Sequence, residues 1–172
     1  MVFLTGKSVV DTQMPDEFWQ GDDAAFALFS PRFTQGEGSS EKACDDAIYQ
    51  EHAYWFERGL QGQLRRKEIY GLDNAVVADV PYAVTEQRPQ VRLIEAQGRS
   101  PVVMPSTVES RVYHYERIAS DPVCHQQITL EQDDYGFVSK AVSINYPRRA
   151  KGAKKSLSAL RKPARNVMGI KL

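Results

Sequence analysis

The clearest pattern in the chain is a pair of alternating stretches, His125 to Gln132 and Phe137 to Tyr146, separated by Asp133-Asp134-Tyr135-Gly136. Asp at the start of this link and Gly at its end fit a type I turn closed by a left-handed residue, a conformation glycine adopts without a Cβ penalty. The alternation predicts a hairpin with Ile128, Leu130, Val138, Val142, Ile144 and Tyr146 sharing one buried face. Arg111 to Ile118 alternates Val112, His114, Glu116 and Ile118 against Arg111, Tyr113, Tyr115 and Arg117, which predicts a strand whose faces meet different surroundings. Tyr82 to Gln87 sets Tyr82, Val84 and Glu86 on one face, and Pro89 is expected to end that strand before Val91 and Leu93 resume the pattern. Gln63 to Tyr70 reads as a polar edge strand.

Helical spacing is convincing only between Glu41 and about Arg58, where Ile48, Trp55, Phe56 and Leu60 fall near one face. Ser40 is the expected N-cap, Asp45 and Asp46 lie early where the macrodipole favours acids, and Gly59 and Gly62 supply the stop. An apolar stripe of this kind is read as core packing rather than a ligand platform. Residues 11–38 mix Phe18, Trp19, Phe26, Phe29 and Phe33 with prolines and glycines, and neither period persists. They read as irregular coil anchored by aromatic side chains, followed by an exposed loop at Gly36-Glu37-Gly38-Ser39-Ser40. The fold class is therefore mainly β, antiparallel, with one amphipathic helix near 41–59 and an irregular N-terminal part.

With 172 residues and 42% hydrophobic content the chain can bury one core, and no apolar run approaches the length of a spanning helix. Met1 to Val10 lacks the apolar region and cleavage site of a Sec signal. The zero net charge conceals an asymmetry. After Ala150 there are seven basic residues and no acid, which leaves 15 basic and 22 acidic residues before it. A basic tail over residues 150–172 could act as a nucleic-acid or anionic-surface patch, but Pro163 interrupts its few apolar positions and a flexible end is the expected reading.

Candidate chemistry is thin. Cys44 and Cys124 sit in no C-x-x-C spacing and are read as reduced thiols. His52, His114 and His125 have no converging ligand spacing, and Cys124 and His125 point to opposite faces if they lie on a strand, so no metal is expected. No nucleophile motif or phosphate-binding loop is present, since Gly36-Glu37-Gly38 lacks a preceding strand and a third glycine. The paired acids Asp22-Asp23, Asp45-Asp46 and Asp133-Asp134 fall in a loop, a helix start and a turn, where Asp serves local backbone hydrogen bonding. No catalytic residue, cofactor-binding residue or metal ligand is assigned.

Several blocks in order carry a resemblance. They include Asp16-Glu17-Phe18-Trp19-Gln20-Gly21-Asp22, Gly62 to Asp73, Pro81 to Leu93, Tyr113-His114-Tyr115-Glu116-Arg117, Asp121-Pro122, Asp134-Tyr135-Gly136-Phe137 and Val142 to Arg149. Together they resemble the B subunits of Tc insecticidal toxin complexes, the TcaC/TcdB-like, SpvB-related proteins, from roughly Phe3 to Arg149. The resemblance implies a shell segment of Rhs/YD-type β-strands over residues 3–149, and the Asp133 to Gly136 turn is similar to the YD-type turn of such shells. It implies partnership with the C subunit, whose toxic enzyme such a shell encloses, and with other B-subunit segments. The A subunit would be met only indirectly, because the propeller that docks on it is absent from this stretch. Family B subunits are many times longer, so the resemblance implies a fragment, a decayed gene product or a split subunit in which a basic tail replaces further strands after Arg149. It further implies a structural, non-enzymatic component released in an extracellular complex after cytoplasmic synthesis, without membrane insertion by this chain and without nucleic acid as a partner. The E-x-E signature of the related ADP-ribosyltransferases is missing, and Glu131-Gln132-Asp133 comes nearest. The second functional reading is a small binding module using the basic tail on nucleic acid or anionic surfaces.

Overall fold

The structure, a computed structural model, describes residues 18–36, 41–73, 75–97 and 100–149, together with the backbone of 2–3. The elements in chain order are β1 (Val2–Phe3), β2 (Arg32–Gln35), β3 (Lys42–Ala43), α1 (Asp46–Leu60), β4 (Leu64–Ile69), β5 (Ala83–Glu95), β6 (Val102–His114), β7 (Val123–Gln132) and β8 (Val138–Asn145). They form one sheet in the order β1-β4-β5-β6-β7-β8, mainly antiparallel, with β2 joining β5 in parallel and β3 joining β2. Among the described residues the fold is mainly β with one helix, as the alternation predicts.

Pro89 does not end its strand. β5 runs through it, and the register shift falls between Arg88 and Pro89, where Val108 of β6 is the extra residue of a bulge. A proline is tolerated there because a bulge has no ladder bond for a missing N–H to break. The pairing on the other edge of β5 divides at the same place: β4 pairs with residues 83–86 and β2 with residues 90–93. β2 falls where the sequence pattern predicts coil, because the long strand it joins, β5, is distant in sequence. β4 lies near the edge as expected, with β1 covering it only at Leu64 and Arg66 among the described residues.

The helix starts later than its spacing predicts. Asp45 is the N-cap, its Oδ1 accepting from Ile48 N at 2.9 Å, while Lys42–Ala43 is extended in β3 and Ser40 lies outside the described residues. Gly59 is inside the helix rather than its stop. A Cβ there would lie 2.8 Å from Val91 Cγ1, so this glycine lets the helix backbone approach the sheet. Phe56 and Leu60 then pack on Val91 and Leu93 and form one core cluster. A second cluster, Val84, Tyr113, Tyr115 and Cys124, gathers around β5, β6 and β7.

The hairpin forms as expected. Asp133 N donates to Phe137 O, Gly136 N donates to Asp133 O, and Gly136 has φ of 86°. Its buried face is shorter than the alternation suggests. Ile128, Val142, Ile144 and Tyr146 are half-buried, but Leu130 is 59% and Val138 53% exposed. Register shifts between Thr129 and Gln132 rotate Leu130 out of line. The strand predicted over Arg111 to Ile118 belongs to a longer one. β6 ends at His114, and Glu116 and Arg117 turn the chain with φ of 49° and 64°.

Candidate functional site

The registers of four neighbouring strand pairs set side chains in rows across the sheet. One row runs Arg66, Glu86, Arg111, Gln126 and Ile144, and the next runs Glu68, Val84, Tyr113 and Cys124. The first row is a charge ladder. Arg66 Nη1 lies 2.7 Å from Glu86 Oε1, Arg66 Nε 2.7 Å from Glu68 Oε1, and Arg111 Nη1 3.3 Å from Glu86 Oε2. Glu86 is 1% exposed, so burial pushes its carboxyl above the usual range, while Arg66 and Arg111 pull the other way.

The irregular N-terminal segment lies over this ladder as a strap, and its aromatic content has a physical reason. Phe26 and Phe29 present their faces to the Arg111 guanidinium at 4.5 and 4.2 Å, Phe29 also meets Arg88 at 4.8 Å, and Phe18 meets Arg66 at 5.1 Å. Ring faces carry partial negative charge and so cover arginines without stranding them. Hydrogen bonds fix the strap in register. Phe26 N donates to Tyr113 Oη at 3.2 Å, Trp19 N to Glu68 Oε1 at 3.2 Å, and Arg66 Nη2 to Trp19 O at 3.3 Å. The expectation of coil anchored by aromatics holds for residues 18–31. What it missed is the charge ladder beneath, whose Arg66, Glu86 and Arg111 come from three separate strands.

The groups weighed for catalysis are dispersed. His52 is buried in α1, His114 is exposed at the end of β6, and His125 Nδ1 lies 2.9 Å from Asn145 Oδ1. Cys124 is buried and its thiol pushed up to about 11 by burial, and burial also raises Cys44. Asp22 accepts from Tyr115 Oη at 2.7 Å and from Arg149 Nη1 and Nη2 at 2.6 and 2.9 Å, Asp45 caps the helix, and Asp133 Oδ1 accepts from Tyr135 N and Phe137 N. Glu131, in the nearest approach to an E-x-E signature, pairs with Lys140 at 2.7 Å. Among the described residues no group of three or more His, Cys, Asp or Glu side chains converges, and no helix is long and apolar enough to cross a membrane. The basic residues of 151–172 lie outside the described residues.

The feature left open is a sheet edge. Among the described residues β8 pairs only with β7, so the far side of Val138–Asn145 presents its backbone groups without a strand partner. The hairpin tip beside it exposes Tyr135 (84%) and Phe137 (72%). A long unpaired edge next to exposed aromatics is a template for strand addition.

A family model for the insecticide toxin TcdB middle/C-terminal region matches residues 55–167. The chain belongs to this TcdB family. The match runs past Arg149 into the basic stretch, where the sequence reading expects the family pattern to stop. A search of curated proteins finds no match. Among solved structures, a TcdB2-TccC3 complex without the hypervariable C-terminal region is similar at 47% identity and a TM-score of 0.76, covering 89% of this chain. The Tc holotoxin pore of Photorhabdus luminescens is similar at 45% identity and a TM-score of 0.76, covering 96%. In both cases the chain spans 7% of the relative's length. It is thus TcdB-like in sequence and fold over a small part of what its relatives contain.

Proposed function

We propose that the chain is a structural segment of a Tc toxin complex, contributing strands to a shell around the toxic part of the C subunit and supplying no catalytic residue. The observation that carries this reading is the unpaired β8 edge, which suits continuation of the sheet by a further strand. Two findings support it. The charged and polar groups that could do chemistry are occupied in capping, turns and the buried ladder, and the similar structures are of TcdB2 in complex with TccC3. On this reading the partners are the C subunit and neighbouring B-subunit segments, the A subunit is met only indirectly, and the chain works outside the cell as part of the released complex.

The division into a folded segment over 3–149 and a basic tail over 150–172 belongs to the same proposal. The anchoring of Arg149 on Asp22 supports a boundary there, and limited proteolysis that cuts after Arg149 but spares the body tests it. Static light scattering across a concentration series, with and without a co-expressed cognate C subunit, tests the shell reading. Self-association that the C subunit suppresses is the expected result. A monomer at high concentration that ignores the C subunit would overturn it.

A further inference from the structure

The face of the sheet that carries Glu86 continues past the bulge into a cleft of about 570 Å³, within the roughly 300 to 1,000 Å³ common for ligand sites. One wall is the β2–β3 pair with Arg32, Glu41 and Lys42, the other is the β7–β8 hairpin with Thr129, Leu130, Gln132 and Ser139, and Gln90 lies on the floor. A single buried side chain braces the walls. Arg92, 0% exposed, donates through Nη1 to Glu41 Oε2 at 3.3 Å, and through Nη2 to the carbonyl oxygens of Asp133 and Asp134 at 2.9 and 3.3 Å. Gln90 Nε2 adds a bond of 2.8 Å to Glu41 Oε1. A cleft held this way keeps its shape while empty, which lowers the ordering cost of binding.

The charge left over in the cleft is positive. Glu41 is matched by Arg92 and Glu131 by Lys140, whereas the side chains of Arg32 and Lys42, both exposed, make no ion pair or hydrogen bond with any described residue. The remaining groups, Gln132, Thr129 and Ser139, are an amide and hydroxyls suited to peptide groups, and exposed Leu130 offers aliphatic contact. Among the described residues β3 pairs only with β2, so its outer edge is also open to an extended chain. These groups are spread over two walls, which fits an elongated ligand better than a compact anion.

We infer that this cleft binds an extended acidic peptide segment, its carboxylates paired with Arg32 and Lys42 and its backbone met by the Gln132 amide and the Thr129 and Ser139 hydroxyls of the hairpin wall. The inference is independent of the shell reading, because it concerns a cleft inside the segment and not the β8 edge.

The test is a fluorescence-anisotropy titration of the 172-residue chain against a fluorescein-labelled hexaglutamate peptide, with hexalysine of equal length as the opposite-charge control. Saturable binding of hexaglutamate alone, weakening with added salt, is the expected result. The charge reversal Arg32→Glu with Lys42→Glu should weaken it on the order of tenfold or more. Reversal of Lys154 and Lys155, in the basic stretch beyond residue 149, should leave it unchanged, and thermal melts of both variants establish that they fold. Three outcomes would overturn the inference: no binding of hexaglutamate, loss of binding with the Lys154 and Lys155 pair instead, or displacement of the peptide by inorganic phosphate at equal total charge, which would mean that the cleft reads charge alone.

Discussion

Arg111 on β6 reaches across to Glu86 on β5, Nη1 to Oε2 at 3.3 Å, with the rings of Phe26 and Phe29 closing over the guanidinium. Both side chains are almost wholly buried, at 7% and 1% exposed. Stranding a buried charge by removing its partner typically costs about 3 to 5 kcal/mol, but Glu86 would keep Arg66 at 2.7 Å and be only partly stranded. Arg111→Met should therefore destabilise the chain in urea denaturation, by less than that full cost. Combining it with Glu86→Leu should recover part of the loss, since no buried carboxylate is then short of a partner and Arg66 keeps Glu68. A double variant as unstable as the sum of the singles would mean that the two residues do not act as a pair.

Gly59 should resist substitution for a reason unrelated to helix propensity. Alanine would gain about 1 kcal/mol in a helix interior, but its Cβ would lie 2.8 Å from Val91 Cγ1 and push α1 off the sheet. Gly59→Ala is expected to lower the melting temperature. Gly62→Ala should also destabilise, by about 1 to 2 kcal/mol, through backbone strain at its φ of +77° and not through crowding, as a Cβ there meets nothing. Adding Val91→Ala should relieve the first variant and leave the second untouched.

Arg117 donates to both oxygens of Asp73, at 2.8 Å each, and this contact holds the Asp73 carboxyl below its ordinary 3.8. A carboxyl depressed in the folded state contributes stability that is fully present above its unfolded value and lost as pH falls through the lower folded value. The connection between β4 and β5 should therefore stay protected from proteolysis at pH 5 and loosen below about pH 3.8. Asp73→Asn should remove that pH step. Loosening at the same pH in this variant would show that another group controls the loop.

Burial pushes the Cys124 thiol up to about 11, so it carries almost no thiolate at neutral pH, whereas Cys44 is only half-buried. Thiolate, not thiol, is the reactive form. Iodoacetamide at pH 8 should label Cys44 first and Cys124 only under denaturant, as read by peptide mass spectrometry. Equal labelling rates in the native chain would contradict the burial of Cys124 against Tyr113.

The local features were legible in the sequence where a few neighbouring residues decide them. The Asp133 to Gly136 turn is one such case, since its hydrogen bonds close within five residues. The helix was legible as an element but not in its first turn, because Glu41 is held by Gln90 and Arg92 of a distant strand and the chain beside it becomes β3. The passage of β5 through Pro89 depends on a bulge carried by its partner, Val108, which no pattern within β5 itself announces. The strap and the charge ladder were hidden for the same reason. Phe26 meets Tyr113 at a separation of 87 residues, and alternation in one strand does not reveal what lies across from it. Arg111 and Tyr113 were correctly set on one face of their strand, while the charged neighbours that make that face unusual belong to β4 and β5.

The Asp22–Arg149 contact joins positions 127 residues apart, at the beginning of the strap and just beyond the last strand. Closing so long a loop is entropically expensive and is repaid only once the intervening sheet exists. The contact therefore acts as a clasp that closes late in folding. It also ties the start of the strap to the chain just past β8, so the cover over the buried charges is pinned from the opposite end of the sequence.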